Sequence, residues 1–226
     1  MKKLAILILF SSIFASCSKD NPTPPVTGDP YMDLTAGSSW NYKLTDNSAG
    51  VPTESTYTLV SSSRADSTVD GIHYHPFDRT TGGSEYYAIS GNDYYQLMAL
   101  PADLGGQAVQ NLYLKTNAAV NASWTQPPSV ISVQGFPITL TVTNTIVEKG
   151  ISRTVNGITY SDVIHVSTAF SASSIFGPVT GLTTNIHSYY GRTVGLIENT
   201  TQIGLDYQGI VFNVDTKLEL QSATIL

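Results

Sequence analysis

The segment Ile138–Val147 reads Ile-Thr-Leu-Thr-Val-Thr-Asn-Thr-Ile-Val, in which apolar residues and threonines alternate. Because successive side chains of a β-strand point to opposite faces of the sheet, this period of two predicts one long strand with a threonine-rich solvent face. Shorter alternations occur along the whole chain, and no window shows the 3.6-residue period of an amphipathic helix. The sequence therefore predicts an all-β, antiparallel protein of about 11–14 strands, either a sandwich or an open or closed barrel.

The remaining predicted strands are rich in tyrosine, valine, isoleucine and threonine, which favour β-structure. In chain order they are Trp40–Leu44, Thr56–Val60, Tyr86–Ile89, Tyr94–Leu97, Val163–Val166, Thr193–Ile197 and Ile210–Leu220. The one candidate for a helical turn is Pro101–Gly106.

Two heptads repeat along the chain. Thr68–Tyr74 reads Thr-Val-Asp-Gly-Ile-His-Tyr, and Thr154–Tyr160 reads Thr-Val-Asn-Gly-Ile-Thr-Tyr. Asp-Gly and Asn-Gly are the strongest signals for a two-residue hairpin, because a type I′ turn needs positive φ at both central residues. We therefore expect tight hairpins at Asp70-Gly71 and Asn156-Gly157, with both glycines at positive φ.

The heptads form part of a longer repeat. The offset between them is 86 residues, and the two tryptophans, Trp40 and Trp124, are 84 residues apart. The pairs Tyr86-Tyr87 and Tyr189-Tyr190 follow in the same order, with extra residues around 171–184 in the second copy. These matches predict a duplicated β-meander with halves at about 37–115 and 121–220.

The N-terminus has the features of a secretory signal. Lys2 and Lys3 precede a mostly apolar stretch of 12 residues, Leu4–Ala15, which is too short to span a membrane as a helix. The following Phe14-Ala15-Ser16-Cys17 resembles the lipobox of bacterial lipoproteins. That resemblance implies cleavage before Cys17 and lipidation of this cysteine, the only one in the chain.

The lipobox divides the chain into three parts. Residues 1–16 form the signal peptide, 17–30 the lipidated cysteine with a proline-rich tether, and 31–226 a single β domain. Ser18 after the cysteine implies the outer membrane within the lipoprotein resemblance, and the run 17–21 resembles lipoproteins of Bacteroidota-type bacteria. The sequence does not decide whether the protein faces the periplasm or the cell surface.

A second resemblance concerns the β domain. The run Gly37–Tyr42 has the pattern Gly-x-x-Trp-x-Tyr, and Tyr189–Ile197 reads Tyr-Tyr-Gly-Arg-Thr-Val-Gly-Leu-Ile. Both runs resemble the first and last parts of β domains in Bacteroidota-type outer-membrane lipoproteins, and they imply no known chemistry. Some proteins of related shape are half-barrel carriers with an apolar inner face, which is an analogy of fold alone.

The composition excludes several classes of protein. The 226 residues include 11 Lys and Arg against 17 Asp and Glu, a net charge of −6 without the basic surface that nucleic acids need. Charged residues make up 12% and hydrophobic residues 41%, which argues against disorder. A single cysteine allows neither an internal disulfide nor a thiolate zinc site.

The sequence carries no strong catalytic motif, and we assign no catalytic residue and no cofactor. His73 and His75 are weak metal-ligand candidates, because residues two apart on a strand share a face. Asp162 and His165 are candidates to complete such a site from the second half. The acids available to a hydrolase are scattered, and no pair is selected among Glu85, Asp93, Glu148 and Asp162.

Tyrosine is the over-represented residue type that says most about a possible binding site, with 13 tyrosines in the chain. In each adjacent pair one ring faces one side of the sheet and the second ring the other side. Cross-strand packing is one explanation, and contact with a ligand is the other. The candidates for ligand contact are Tyr87, Tyr95 and Tyr190.

The sequence thus indicates a non-enzymatic, membrane-anchored envelope lipoprotein with a binding or structural role. Its expected partners are the membrane, through the lipid on Cys17, and a saccharide or apolar ligand, but not nucleic acid. One alternative is a carrier of lipids or other apolar molecules with a half-barrel cavity. Another is an envelope hydrolase that uses acids or histidines. A continuous apolar cavity would favour the carrier, and convergent polar side chains with shifted pKa values would favour the hydrolase.

Overall fold

The computed structural model describes residues 30–99, 108–133, 136–207 and 210–226. The predicted signal peptide 1–16, Cys17, the tether up to residue 29 and the candidate helical turn Pro101–Gly106 lie outside the described residues. All the strands and the hydrophobic core described below lie between Pro30 and Leu226. This part of the chain therefore contains the core that independent folding requires.

The described residues form fifteen antiparallel strands and no helix. The strands are β1 (Ser39–Asp46), β2 (Thr53–Ser61), β3 (Ser67–Val69), β4 (Ile72–Arg79), β5 (Ser84–Ser90), β6 (Asp93–Ala99), β7 (Ala108–Lys115), β8 (Ser123–Thr125), β9 (Ser129–Val133), β10 (Phe136–Val155), β11 (Ile158–Ser174), β12 (Gly177–Pro178), β13 (Thr183–Gly191), β14 (Gly195–Tyr207) and β15 (Ile210–Thr224). The all-β prediction is confirmed. The expected 11–14 strands are exceeded because β3, β8 and β12 are short pieces of two or three residues. Across the described ranges, no helix has the length and hydrophobicity needed to cross a membrane.

The strands build one sheet that curls into a nearly closed barrel, in the order β7-β6-β5-β4-β2-β1-β15-β14-β13-β11-β10-β8. This order consists of two six-stranded meanders, and the strands β3, β9 and β12 lie off it, paired with β4, β10 and β11. The two meanders are joined by the ladder between β1 and β15, in which Trp40 lies opposite Ala223. The first meander runs from β1 to β7 and the second from β8 to β15. Their descent from one repeated unit remains a prediction.

At the other junction between the meanders, which we call the seam, the described residues show no backbone ladder from β7 to β8 or β10. Side chains hold this junction together. The Leu112 carbonyl on β7 accepts hydrogen bonds from Trp124 Nε1 (2.6 Å), Asn144 Nδ2 (3.0 Å) and Gln126 Nε2 (3.2 Å). Asn144 Nδ2 also donates to Asn111 Oδ1 at 2.9 Å. Side-chain amides and an indole therefore replace the missing ladder.

Two predicted strands differ from the structure. The alternation over Ile138–Val147 belongs to β10, which is 20 residues long and ends at Val155. Register shifts after Ile146 bend its second part, so that Val155 packs into the core. The expected strand Thr193–Ile197 is wrong at its start, because Thr193 has φ 67° and lies in a turn, and β14 begins at Gly195.

Both predicted hairpins form as expected. Asp70 and Gly71 have φ values of 50° and 79°, and Asn156 and Gly157 have values of 49° and 78°. All four residues thus have the positive φ of a type I′ turn. A Cβ added at either glycine would have nothing within 4 Å, so a larger residue there meets a conformational penalty and no steric clash.

We expect Gly157→Val to lower the free energy of unfolding by roughly 1–2 kcal/mol, the cost of placing a Cβ in the left-handed region. Urea unfolding followed by circular dichroism measures this change. The control is Asn156→Gly, which accepts the same positive φ without strain and should leave stability nearly unchanged. Equal stability of wild type and Gly157→Val would contradict the turn assignment.

A hydrophobic core closes one end of the barrel. Tyr31 and Met32 enter from the N-terminus and pack with Trp40 and Phe77, and all four side chains are buried. The backbone bond from Thr193 N to the Pro30 carbonyl (2.8 Å) fixes the entering segment. We call this the closed end. The opposite, open end carries the turns 47–52, 80–83 and 175–176.

Candidate functional site

A cavity of about 310 Å³ lies inside the sheet, between the closed-end core and the open end. This volume is at the lower limit of the roughly 300–1,000 Å³ of pockets for small organic ligands. Both meanders contribute to its wall, so the cavity exists only in the assembled barrel. Apolar side chains that line it include Met32, Met98, Phe170, Ile186, Ile203 and Val214.

Five tyrosines line the part of the cavity nearest the closed-end core: Tyr42, Tyr57, Tyr87, Tyr113 and Tyr190. Their rings contact one another across strands and across the barrel. The centroids are 5.7 Å apart for Tyr42 and Tyr57, 6.2 Å for Tyr87 and Tyr113, and 5.1 Å for Tyr113 and Tyr190. Such packing makes a rigid aromatic wall with hydroxyl groups within it.

These tyrosines remain protonated at physiological pH. Burial, followed by the negative charge of Glu85, raises the pKa of Tyr57 to about 12. Burial is also the main cause that raises the pKa of Tyr42, Tyr87 and Tyr113 well above the usual value, and it raises the pKa of Tyr190. Each hydroxyl can therefore donate a hydrogen bond, as Tyr42 does to the Leu196 carbonyl at 2.8 Å.

One ion pair lies in the cavity wall. Arg79 Nε donates to Glu85 Oε1 at 2.6 Å, and the guanidinium lies 4.7 Å from the centroid of the Tyr57 ring. Glu85 also accepts a hydrogen bond from the Tyr87 hydroxyl, which in turn accepts from Gln96 Nε2 at 2.9 Å. The two charges neutralise each other, and the further hydrogen bonds of Glu85 are made to Tyr87 and Gln96 within the wall.

Neutral polar side chains extend from this ion pair around the barrel. Together with Arg79, Glu85 and Gln96 they form a band that we call the polar belt. On one side Thr168 Oγ1 donates to Asn144 Oδ1 at 2.6 Å, and Asn144 reaches Asn111 across the seam. On the other side Asn199 Nδ2 donates to Ser188 Oγ at 2.9 Å. No buried side-chain N or O atom in the described residues lacks a hydrogen-bond partner.

The structure places two of the three candidate ligand-contacting tyrosines in the cavity. Tyr87 on β5 and Tyr190 on β13 both line it, one from each meander. Tyr95 on β6 is outside the cavity lining, and burial followed by the charge of Asp93 raises its pKa. Contact of Tyr87 and Tyr190 with a ligand remains a proposal.

The two histidine candidates have separate partners. His73 Nδ1 is 3.0 Å from Thr68 Oγ1, and the two nitrogens of His75 are 2.8 Å from Asp66 Oδ1 and 3.0 Å from Ser61 Oγ. Within the described ranges, no three or more His, Cys, Asp or Glu side chains are grouped so as to hold a metal ion. Asp162 pairs with Arg192, and His165 lies beside Glu148 and His187 in the second meander.

The acids considered for hydrolysis are separated in the fold. Glu85 lies in the cavity wall, and Asp93 pairs with Lys115 at 3.7 Å near a turn of the closed end. Asp162 pairs with Arg192 at the same end, and Glu148 lies beside His165. The structure thus gives each acid its own cationic or histidine partner and brings no two of the four together in the cavity.

A second polar cluster lies on the outer face of the second meander, and sequence reasoning did not assemble it. His165 is buried, and its ring stacks on Tyr189 with centroids 4.2 Å apart. Its two nitrogens are 2.9 Å from Glu148 Oε2 and 2.8 Å from His187 Nδ1. Arg153 covers the other side of Tyr189 at 3.5 Å. No sequence pattern marks this set, because the ladders between β10, β11 and β13 bring it together.

The His187 side chain should make stability depend on pH. Burial, followed by the charge of His165, lowers the pKa of His187 below the usual 6.5. The unfolded chain therefore binds a proton at a higher pH than the folded protein does, and stability falls as the pH decreases through this range. We expect wild type to lose more stability than His187→Gln between about pH 7.5 and 5.5, near the ordinary histidine pKa. Urea unfolding at several pH values measures the difference, and parallel losses in both proteins would contradict it.

These observations define a β-barrel-like protein with a partly open, mostly apolar cavity. Among solved structures, the chain is similar to a Parabacteroides distasonis protein provisionally described as a lipoprotein, with a TM-score of 0.51 and 12% identity. The match covers 88% of this chain and 100% of that chain, and at this identity it shows a shared fold alone. A Vibrio parahaemolyticus domain, provisionally described as an outer membrane lipoprotein-sorting protein domain, has a TM-score of 0.24, 9% identity and coverage of 87% and 86%, which is too distant to support an argument. No protein-family model and no curated protein sequence matches the chain.

Proposed function

We propose that the protein is a non-enzymatic, lipid-anchored envelope protein that binds an uncharged amphiphilic molecule inside its barrel. The cavity carries this proposal, because it offers about 310 Å³ lined mostly by apolar and aromatic side chains. The anchor rests on the lipobox at Cys17 and the signal peptide 1–16, which indicate the bacterial outer membrane. The lipoprotein description of the Parabacteroides distasonis protein agrees with this anchor.

The chemistry of the wall supports an uncharged ligand. Arg79 and Glu85 are the charged residues of the described cavity lining, and they pair with each other at 2.6 Å. An anionic headgroup would have to compete with Glu85 for the guanidinium, and burying an unpaired charge is costly. A hydroxyl or amide group meets no such cost, since the polar belt offers donors and acceptors beside apolar surface.

The same wall argues for binding and against hydrolysis. A hydrolase needs acids or a nucleophile and a base that converge on one point, whereas Glu85 is the single acid in the described lining. It is already bonded to Arg79 and to the Tyr87 hydroxyl. The carrier alternative raised by the sequence therefore agrees best with the geometry.

Filling the cavity tests the proposal. Thr200 and Thr201 are neighbours on β14, but Thr201 lines the cavity and Thr200 faces the other side of the sheet. We expect N-phenyl-1-naphthylamine, a neutral fluorescent probe, to bind wild type and Thr200→Trp alike. Thr201→Trp should weaken binding by at least about tenfold, because an indole occupies the ligand volume. Absence of binding to wild type, or equal binding by both variants, would refute the proposal.

Competition between two ligands tests the preference for an uncharged molecule. Decanol and decanoate have the same chain length and differ in headgroup charge at neutral pH. Decanol should displace the naphthylamine probe at a concentration at least about tenfold lower than decanoate, because the carboxylate finds no free cation. Stronger displacement by decanoate would show that Arg79 is available to anions.

A further inference from the structure

The open end of the second meander carries four large apolar side chains that face solvent. Val130 on β9, Ile175 and Phe176 in the turn after β11, and Val211 on β15 are 69%, 81%, 78% and 77% exposed. We call this set the open-end rim. Exposed apolar groups clustered at one end of a domain mark an interaction surface more often than isolated ones do.

The ladders place these four residues at one end of the sheet. Val130 pairs with Thr139, and Thr139 pairs with Ser173, two residues before Ile175. On the other side, Val211 pairs with Asp206, whose backbone N donates to the Gly181 carbonyl at 3.4 Å. The rim therefore follows neighbouring strands from β9 to β15.

The rim lies beyond the end of the cavity wall, at the open end of the barrel. Phe170 lines the cavity and lies five residues before Ile175 on the same strand and its turn. Val214 also lines the cavity, three residues after Val211 on β15. Because side chains alternate along a strand, Val211 faces the outside of the barrel, as does Val130 beside the buried Ile131. The rim therefore surrounds the open end on the outer face of the sheet.

The surroundings of the rim carry almost no charge. Residues 116–147 and 163–191, which form β8, β9, most of β10, the second part of β11, β12 and β13, contain no Asp, Glu, Lys or Arg. Asp206 is the charged residue beside Val211. By contrast, Lys149, Asp162 and Arg192 lie toward the closed end, together with the less exposed Val120 (48%) and Ile158 (45%).

We propose that the open-end rim inserts into the surface of a lipid bilayer. A bilayer fits because insertion needs protruding apolar side chains on uncharged surroundings, since moving charges into the apolar region is costly. The absence of cations in the two uncharged segments further predicts binding to zwitterionic lipid that does not depend on anionic headgroups. This inference goes beyond the proposed cavity function and rests on a different part of the surface.

The test is flotation of the chain from Ser18 to Leu226 with phosphatidylcholine vesicles. This chain keeps the whole described domain and lacks the cysteine, so that lipidation does not mask binding by the rim. We expect wild type to float at low and at high salt. Ile175→Ser/Phe176→Ser should bind at least about tenfold more weakly, because two large apolar groups are lost from the buried surface. The control Val120→Ser/Ile158→Ser removes two exposed apolar side chains near the closed end and should float like wild type.

Several outcomes would overturn the inference: no flotation of wild type, equal flotation of the rim variant, or loss of flotation at high salt. A dimer in sedimentation velocity that the rim variant abolishes, together with absent flotation, would identify a second copy of the chain as the partner. Probe binding separates the two proposals. The rim variant should still bind N-phenyl-1-naphthylamine, and Thr201→Trp should still float. Flotation without any probe binding would refute the cavity function and leave the rim inference standing.

Discussion

Trp40→Ala is expected to lower the free energy of unfolding by about 3–5 kcal/mol, the usual cost of truncating a fully buried aromatic residue. The Trp40 side chain is 1% exposed, its ring lies 5.6 Å from that of Phe77, and Nε1 donates to the Val194 carbonyl at 2.6 Å. Truncation opens a void at the closed end and leaves this carbonyl without its partner. Since domains of this kind are stable by roughly 5–15 kcal/mol, the variant should be close to unfolding.

The second tryptophan is the internal comparison. Trp124 also donates from Nε1 to a backbone carbonyl, that of Leu112 at 2.6 Å, but it is only partly buried at the seam. Trp124→Ala should therefore cost clearly less than Trp40→Ala in urea unfolding followed by circular dichroism. An equal or larger loss for Trp124→Ala would mean that the seam, and not the closed-end core, limits stability.

Arg153→Ala is expected to have the second largest effect, about 3 kcal/mol, the lower range for removing one partner of a buried ion pair. Arg153 binds both oxygens of Glu198, at 2.9 Å and 2.7 Å, and the Glu198 side chain is only 6% exposed. Without the guanidinium, the nearest described cation is Lys217, 3.9 Å from Glu198. The variant also loses the contact of Arg153 with the Tyr189 ring.

An exposed ion pair provides the control for this prediction. Lys43 Nζ lies 2.8 Å from Glu54 Oε1, and the Glu54 side chain is 61% exposed. Water can therefore solvate either charge when its partner is removed. Lys43→Ala should therefore unfold at the same urea concentration as wild type within error. Similar midpoints for Arg153→Ala and Lys43→Ala would show that Glu198 finds water or another partner after the substitution.

Local signals in the sequence were sufficient for the all-β class and for the two hairpins. The alternation over Ile138–Val147 lies within β10, and both Asp70-Gly71 and Asn156-Gly157 have positive φ. Such features depend on a few neighbouring residues, and so they can be inferred without knowledge of the fold. The start of β14 was misplaced because positive φ at Thr193 follows from the contact of this turn with Pro30, far away in the chain.

The candidate site was predictable only in part. The Tyr-Tyr pairs indicated that one ring of each pair faces each side of the sheet, and Tyr87 and Tyr190 indeed line the cavity. The sequence did not single out Arg79 or Gln96, because neither has a local pattern that sets it apart from a surface residue. From the sequence, Glu85 was one of four acids that could not be ranked as candidate site residues. The ladder between β4 and β5 places it beside Arg79.

By itself, the sequence determined that this protein is an antiparallel β domain with two tight hairpins, since side-chain alternation and turn conformation are local properties of the backbone. It also carried the run Phe14–Cys17, whose resemblance to a lipobox is the basis of the proposed anchor. Only the tertiary structure decided that the sheet curls into a barrel with a cavity, a seam held by side chains and a rim at the open end. These features depend on the register between strands from both meanders, and register places residues more than a hundred positions apart, such as Tyr87 and Tyr190, in one wall.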